Sequence, residues 1–588
     1  MVEAAKRIWF RSGWVSLSWL AVAVLGAIQG FYGRTIYAND YIAYLDVSRA
    51  IAAGDWVGAL NPMWSPGYPL LVAIARSFAP ATAEGEWYAI SALNLVIFLA
   101  TYGAWRFLIR SAIAFYRPSV LGMENHPVAV WATFWLFLGC CLGLVYVDSA
   151  LPDLLVTGYC VLGTALALRL ISQRRVRDGV LFGLLLGTAV WVKGALLAFT
   201  VYLLLTVLIS SLRRRELWRP LGYAAAIYAP FLGLLAAAMS WSYGEFTLGV
   251  TGPLNYAFHV NHLPHWYHWQ GGGPFGAPIH PSPPLVPGLP VFGFGEPFRA
   301  TYPPYEDIAY WYQGFHQVHS LRLQALAILR SGYHLAAAIQ TERILLGVAL
   351  ALVVSLIRRP WRQAVLAAAS SGWPMFLPAL LGSAAYLAVS VEERYLAPFA
   401  LIFGLLPFAP LLDPALAARR ALACLLVAIF TVTGFWEYYN SASTSIRTAL
   451  VGADFHDAPQ WRLASALRAL GLKPGDRIAI INGYTARDRY HWAYVDHLRI
   501  VAEFGALPFR TAPLERTRFD KERTESADQD FGRLFWEDLT DAQRSAVMAA
   551  FRTSGARAVV SLSTPTPPAF PGWTRLGGTD DWLYEFSP

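Results

Sequence analysis

Long apolar runs alternate with short arginine-bearing loops along most of this chain. Apolar runs of roughly 17 to 25 residues mark helices that cross a bilayer, whose hydrocarbon core is about 30 Å thick. The pattern predicts spans at Trp14–Phe31, Glu86–Phe107, Pro127–Val147, Leu151–Ile171, Leu221–Tyr243, Ile344–Ile357, Gln363–Ser390, Tyr395–Leu412 and Ala421–Phe435. Gly179 to Leu212 would extend roughly 50 Å as one helix, too long for a single crossing. Its two ends also carry arginines that belong on one side. It is expected to be two short helices meeting at Lys193-Gly194, which makes about eleven spans in all.

The basic loops set the topology. Lys6/Arg7/Arg11, Arg106/Arg110/Arg117, Arg169/Arg174/Arg175/Arg177, Arg213/Arg214/Arg215/Arg219, Arg358/Arg359/Arg362 and Arg419/Arg420 mark the inner side. The N-terminus is then cytoplasmic and the C-terminal segment external, as in a protein of a bacterial inner membrane. The basic N-terminus lacks a convincing small-residue cleavage site before Tyr37 and reads as a retained anchor. A rival reading breaks Gln363–Ser390 at Trp373-Pro374. It would leave Arg419/Arg420 outside, against the charge rule.

Residues 1–440 are expected to form a transmembrane domain with large external loops at 33–85 and 244–340. In the first loop, Tyr41 to Ala53 has apolar residues at the spacing of a surface-lying helix. The second is rich in Pro, Gly, His, Trp and Tyr, and its tail, Leu321 to Ile339, reads as an amphipathic helix on the membrane. Residues 441–588 change composition. Helices at Trp461–Leu470 and Asp541–Arg552 alternate with strands at Arg477–Asn482, Leu498–Phe504 and Ala556–Leu562, which predicts a soluble external α/β domain. It has no Gly-rich phosphate loop.

Composition agrees with the pattern. Of 588 residues, 56% are hydrophobic and 14% charged, against about a quarter charged in soluble chains. The net charge of +8 does not indicate nucleic acid, because the arginines sit in topology-setting loops. Cys140, Cys141, Cys160 and Cys424 lie in apolar spans, so neither a disulfide framework nor a thiolate metal site is indicated.

Asp40 stands just outside the first span, in Asn39-Asp40-Tyr41. A carboxylate there can take a proton from a hydroxyl in water while facing what the bilayer delivers from the side. That suits transfer of a lipid-carried group to a polar acceptor. Asp46 lies on a different face of the same helix, so one of the two can face a cavity while the other faces solvent. Asp148 and Asp153 flank a tight external turn. Pro152 fits the first helical position, and Asp153 then complements the helix dipole; the alternative is that one of the pair orients an acceptor hydroxyl or a divalent metal. Arg394, in Glu392-Glu393-Arg394-Tyr395, opposes its helix dipole. Glu393 can compensate, or a bound phosphate can. Lys193 is a second cation at the same depth, either snorkelling or binding the same anion. His259, His262, His265 and His268 recur every three residues, but Pro264 breaks the helix that would align them as metal ligands.

The order of these motifs resembles the GT-C membrane glycosyltransferases, and it is similar to the protein O-mannosyltransferase and aminoarabinose-transferase group. The matching residues are Asn39-Asp40, Trp64-Ser65-Pro66-Gly67-Tyr68-Pro69, Leu151-Pro152-Asp153, Val192-Lys193 and Glu393-Arg394-Tyr395. Asn39 departs from the acidic pair common in that family, and the loop 255–270 has no counterpart in its best-known members. The resemblance implies a polyprenyl-phosphate sugar as donor and a protein, lipid or glycan hydroxyl as acceptor. Asp40 would be the general base of an inverting transfer. Lys193 and Arg394 would hold the donor phosphate, with Glu393, His262 and His265 beside them. The competing readings are a lipid or sugar transporter or flippase, and a non-catalytic envelope scaffold that binds glycan. Convergence of Asp40, Asp153, Lys193 and Arg394 on one external cavity is the feature that separates the first reading from the others.

Overall fold

The computed structural model describes residues 2–33, 39–116, 118–120, 123–263, 268–279, 282–296, 298–307, 312–412, 419–452, 458–481, 490–504, 536–562, 566–577 and 579–587. The principal helices in chain order are α1 Val2–Tyr32, α2 Asn39–Ala53, α3 Gly67–Arg76, α4 Ala83–Tyr116, α5 Pro127–Leu138, α6 Asp153–Gln173, α7 Val176–Ala189, α8 Gly194–Leu212, α9 Trp218–Tyr243, α10 Thr251–His259, α11 Leu321–Thr341, α12 Arg343–Ile357, α13 Arg359–Ser371, α14 Trp373–Val389, α15 Glu393–Phe403 and α16 Arg419–Val451.

Among the described residues, eight helices are long and apolar enough to cross a membrane, and up to ten if each of two bent pairs is one span. The expected eleven also counts α7, which has 14 residues and is short by that test. It packs closely against α9. Gly179, Gly183 and Gly187 recur every four residues and set α7 against Pro220, Ala224 and Phe231 of α9, with no room for a Cβ. The predicted division at Lys193-Gly194 is present: α7 ends at Ala189 and α8 starts at Gly194.

α11 and α12 meet at 92°. The expected single span Gln363–Ser390 is broken at Gly372, with α13 and α14 at 82°. This is the break of the rival reading, but α13 has 13 residues, about 20 Å at 1.5 Å per residue, too short for a crossing. The ring of Tyr116 fills the space beside Gly372, and its hydroxyl donates to the carbonyl of Ala368 at 2.7 Å.

The C-terminal segment forms a mixed sheet. Its strands are β1 Val291–Gly293, β2 Arg477–Ile481, β3 Arg499–Phe504, β4 Ala558–Ser561, β5 Thr574–Arg575 and β6 Trp582–Glu585, in the order β1-β3-β2-β4-β6-β5. β2 runs parallel to β3 and β4; the other pairings are antiparallel. The three strands read from sequence are its centre, and α17 Pro459–Ala469 and α18 Asp541–Thr553 match the expected helices. β1 comes from the loop 244–340, which is thereby stitched to the C-terminal segment.

Two expectations about α2 need correction. Ile42 through Ser48 are all buried, so α2 is not a surface-lying helix. Asp46 does not face solvent either. Its carboxylate accepts the backbone N–H of Thr301 at 2.8 Å and the Thr301 hydroxyl at 3.1 Å. Arg49, one turn on, stacks its guanidinium 3.4 Å over the ring of Tyr494 and pairs with Glu86 at 3.4 Å. α2 is held between the membrane helices, the second loop and the C-terminal segment.

Candidate functional site

Four chain segments bring charge to one end of the bundle. Asp40 sits in the first turn of α2, where an acidic side chain complements the helix dipole. Asp153 opens α6, Lys193 precedes α8, and Arg394 is the second residue of α15. The turn that delivers Asp148 and Asp153 is pinned from both sides. Gln29 donates to the carbonyl of Leu142 and accepts from the N–H of Val147, while Asn94 donates to the carbonyls of Val147 and Ser149. The Lys193 turn is pinned by the Trp64-Ser65-Pro66-Gly67 motif. Gly67 N–H donates to the carbonyl of Trp191 at 2.8 Å, and a Cβ at Gly67 would meet that oxygen at 2.6 Å. Glycine is required there for close approach.

Arg394 is the hub. Its guanidinium lies 3.3 Å from Asp40 Oδ2, 3.7 Å from Asp153 Oδ2 and 2.8 Å from Glu392 Oε2. Lys193 Nζ donates to Asp153 Oδ1 at 2.5 Å. Asp153 is buried, with side-chain exposure of 4%, whereas Asp40 retains 32% and Arg394 24%. Asp153 thus orders both cations from beneath, and Asp40 and Arg394 form the accessible edge. Tyr395 lies between the cations, its ring 4.8 Å from Lys193 Nζ and 5.0 Å from Arg394 Cζ. It stacks on Tyr386 at 4.9 Å.

The N-terminal ends of α6, α8 and α15 meet here, and none has a side-chain capping hydrogen bond. The positive ends of three helix dipoles therefore meet at the cluster.

Sequence reasoning did not place Tyr305 at Asp40. Its hydroxyl donates to Asp40 Oδ1, opposite the side taken by Arg394. The loop that carries it is tied down at three points: Trp64 Nε1 donates to the carbonyl of Tyr305, Asn61 to the carbonyl of Glu306, and Asp46 holds Thr301. Glu306 is buried beside it. Burial, with repulsion from Asp307 and Asp46, pushes its carboxyl up to about 8. Burial likewise raises the phenols of Tyr41 and Tyr44 around Asp40. Nothing in the pattern of the Pro- and aromatic-rich loop distinguishes Tyr305 from its neighbours.

The other candidates fare differently. Asp148 is half-buried against the loop at Gly33, close enough to raise the Tyr41 phenol. Glu393 is exposed, and the carboxylate that pairs with Arg394 is Glu392. Glu392 occupies the extended N-cap position, from which its side chain turns back to Arg394, while Glu393 begins the helix on another face. His262 follows α10 in a left-handed conformation, φ 58°. His265 lies outside the described residues. His268 is buried and paired with Glu503, stacked on Phe292 at 4.0 Å. Among the described residues no group of three His, Cys, Asp or Glu is placed to hold a metal.

No family model and no curated protein matches the chain. Solved structures similar to it include ArnT from Cupriavidus metallidurans bound to undecaprenyl phosphate, at 14% identity and TM-score 0.48, covering 97% of this chain and 98% of that one. The archaeal oligosaccharyltransferase AglB from Archaeoglobus fulgidus, in complex with an inhibitory peptide and a dolichol-phosphate, aligns at 13% identity and TM-score 0.46 over 94% of this chain and 70% of that one.

Proposed function

We propose that the chain transfers a sugar from a polyprenyl-phosphate donor to an acceptor hydroxyl, with Asp40 as general base. The acceptor oxygen attacks the anomeric carbon and its proton passes to Asp40. The bond from that carbon to the phosphate oxygen breaks, and its electron pair leaves with the phosphate, inverting the centre. Phosphate is a good leaving group and needs no second carboxyl to protonate it, unlike the leaving group of a glycoside hydrolase.

The observation that carries this reading is the convergence of two cations and three uncapped helix N-termini beside one accessible carboxylate. A phosphate gains from all of these at once. In the resting arrangement Asp40 occupies part of the Arg394 fork. Donor phosphate entering between Arg394 and Lys193 would displace it, leaving the carboxylate on Tyr305 and free to accept a proton. The phosphate also meets the charge that grows on it as the bond breaks. Asp153 positions the two cations and does not take part in proton transfer.

Binding of undecaprenyl phosphate to the purified full-length chain tests the phosphate assignment. Arg394→Ala should weaken it by about tenfold to a hundredfold, the cost of about 1.5–3 kcal/mol for a charge-assisted hydrogen bond. Asp40→Asn should leave it intact or tighten it, because a competing anion has gone. Unchanged affinity in Arg394→Ala would remove the phosphate from this cluster.

A further inference from the structure

At the end of the bundle away from Asp40, the helices enclose a cavity of about 1000 Å³. Its walls are the last turns of α4, the first turns of α5, one face of α13, the segment Leu406–Leu412 and the start of α16. The space exists because α13 turns aside at Gly372 and shows it a face of small residues, Ala364, Ala367, Ala368 and Ser371. Its volume is at the upper end of the range for ligand pockets, roughly 300–1,000 Å³. Most of the remaining lining is apolar.

Basic side chains gather at this end of the bundle. Arg420 lines the cavity, and Arg358, Arg359 and Arg362 are exposed at the first turn of α13. Among the described residues none of the four has a carboxylate partner, in contrast to Arg49, Arg394 and Lys193 at the other end. Arg358 rests on the ring of Trp361 at 5.0 Å. Basic pockets between membrane helices on the arginine-rich side take anionic lipid headgroups.

We propose that this cavity binds one anionic glycerophospholipid of the adjoining leaflet, with an acyl chain in the chamber and its phosphate at Arg420 and the α13 arginines. The site is separate from the one at Arg394. The path along α15 to Leu412 covers 19 residues, about 28 Å at 1.5 Å per residue, so a lipid phosphate at Arg394 does not also reach Arg420.

Native mass spectrometry of the delipidated full-length chain, titrated with phosphatidylglycerol, phosphatidylcholine and undecaprenyl phosphate, tests this. One phosphatidylglycerol per chain should be retained at least tenfold more tightly than phosphatidylcholine. Ala367→Trp, which fills the chamber, and Arg420→Gln, which leaves its walls intact, should each reduce that retention at least tenfold at unchanged elution volume. Equal retention of the two glycerophospholipids would overturn the proposal. So would undiminished phosphatidylglycerol binding in Arg420→Gln, or displacement of phosphatidylglycerol by undecaprenyl phosphate at lower concentration. If Ala367→Trp fails to fold, Arg420→Gln decides.

Discussion

Arg394 faces Asp40, Asp153 and Glu392 at once, and such crowding makes its charge hard to replace. Lysine in its place keeps the charge but cannot fork between two carboxylates and a phosphate. Arg394→Lys should therefore raise the donor KM while lowering kcat less than Arg394→Ala does, as steady-state kinetics would show. Glu306 offers a test that depends on pH. Its folded carboxyl titrates at about 8, well above the ordinary carboxylate range, so the folded chain holds one proton more than the unfolded chain between those values. Stability must then fall as pH rises from the ordinary range to about 8. Glu306→Gln should flatten that decline in thermal unfolding while keeping the Asn61 hydrogen bond. An unchanged pH dependence would mean that Glu306 is ionised in the folded chain. Of these residues, Asp40, Asp153, Lys193 and Arg394 were legible in the sequence because charge beside an apolar run is conspicuous. The contact of Tyr305 with Asp40 and the burial of Glu306 were not, because a tyrosine or glutamate in a long loop has no periodicity to give it an address.

The elements divide in the same way. Spans declare themselves by length and hydropathy, and the split at Lys193-Gly194 followed from the bilayer's thickness together with the arginines at both ends of the run. α2 was read as lying on the membrane because its apolar residues have helical spacing. That spacing says that a face is buried and leaves the partner open; here the partners are α3, the Thr301 loop and Tyr494. The break at Gly372 depends on Tyr116, more than 250 residues away in the chain, which no local pattern contains. Gly67 makes an element-scale prediction. Gly67→Ala should push back the turn that carries Lys193 and cost about 1–3 kcal/mol of overpacking, seen as a lower Tm together with weaker donor binding. Lower Tm with donor binding unchanged would detach the Trp64-Ser65-Pro66-Gly67 motif from the site.

Across the whole molecule, the C-terminal segment is joined to the helix that bears Asp40. Arg49 reaches from α2 to Tyr494 and Glu86, and β1 ties the second loop into the sheet. Breaking a buried pair by removing one partner costs about 3–5 kcal/mol. Arg49→Ala should therefore raise amide hydrogen exchange throughout α2, with the bundle helices unchanged; protection of α2 equal to that of the unmodified chain would mean that the C-terminal segment does not brace it. The sequence separated this segment by composition but could not show that a strand from residue 291 completes its sheet, because three residues without alternation carry no strand signal. The most direct measurement is the mass spectrum of envelope glycolipids and glycoproteins from cells producing the chain or its Asp40→Asn variant in equal amounts. A sugar-sized mass increment present with the first and absent with the second is the expected result. The same increment at the same abundance in both would contradict a proton-accepting role for Asp40.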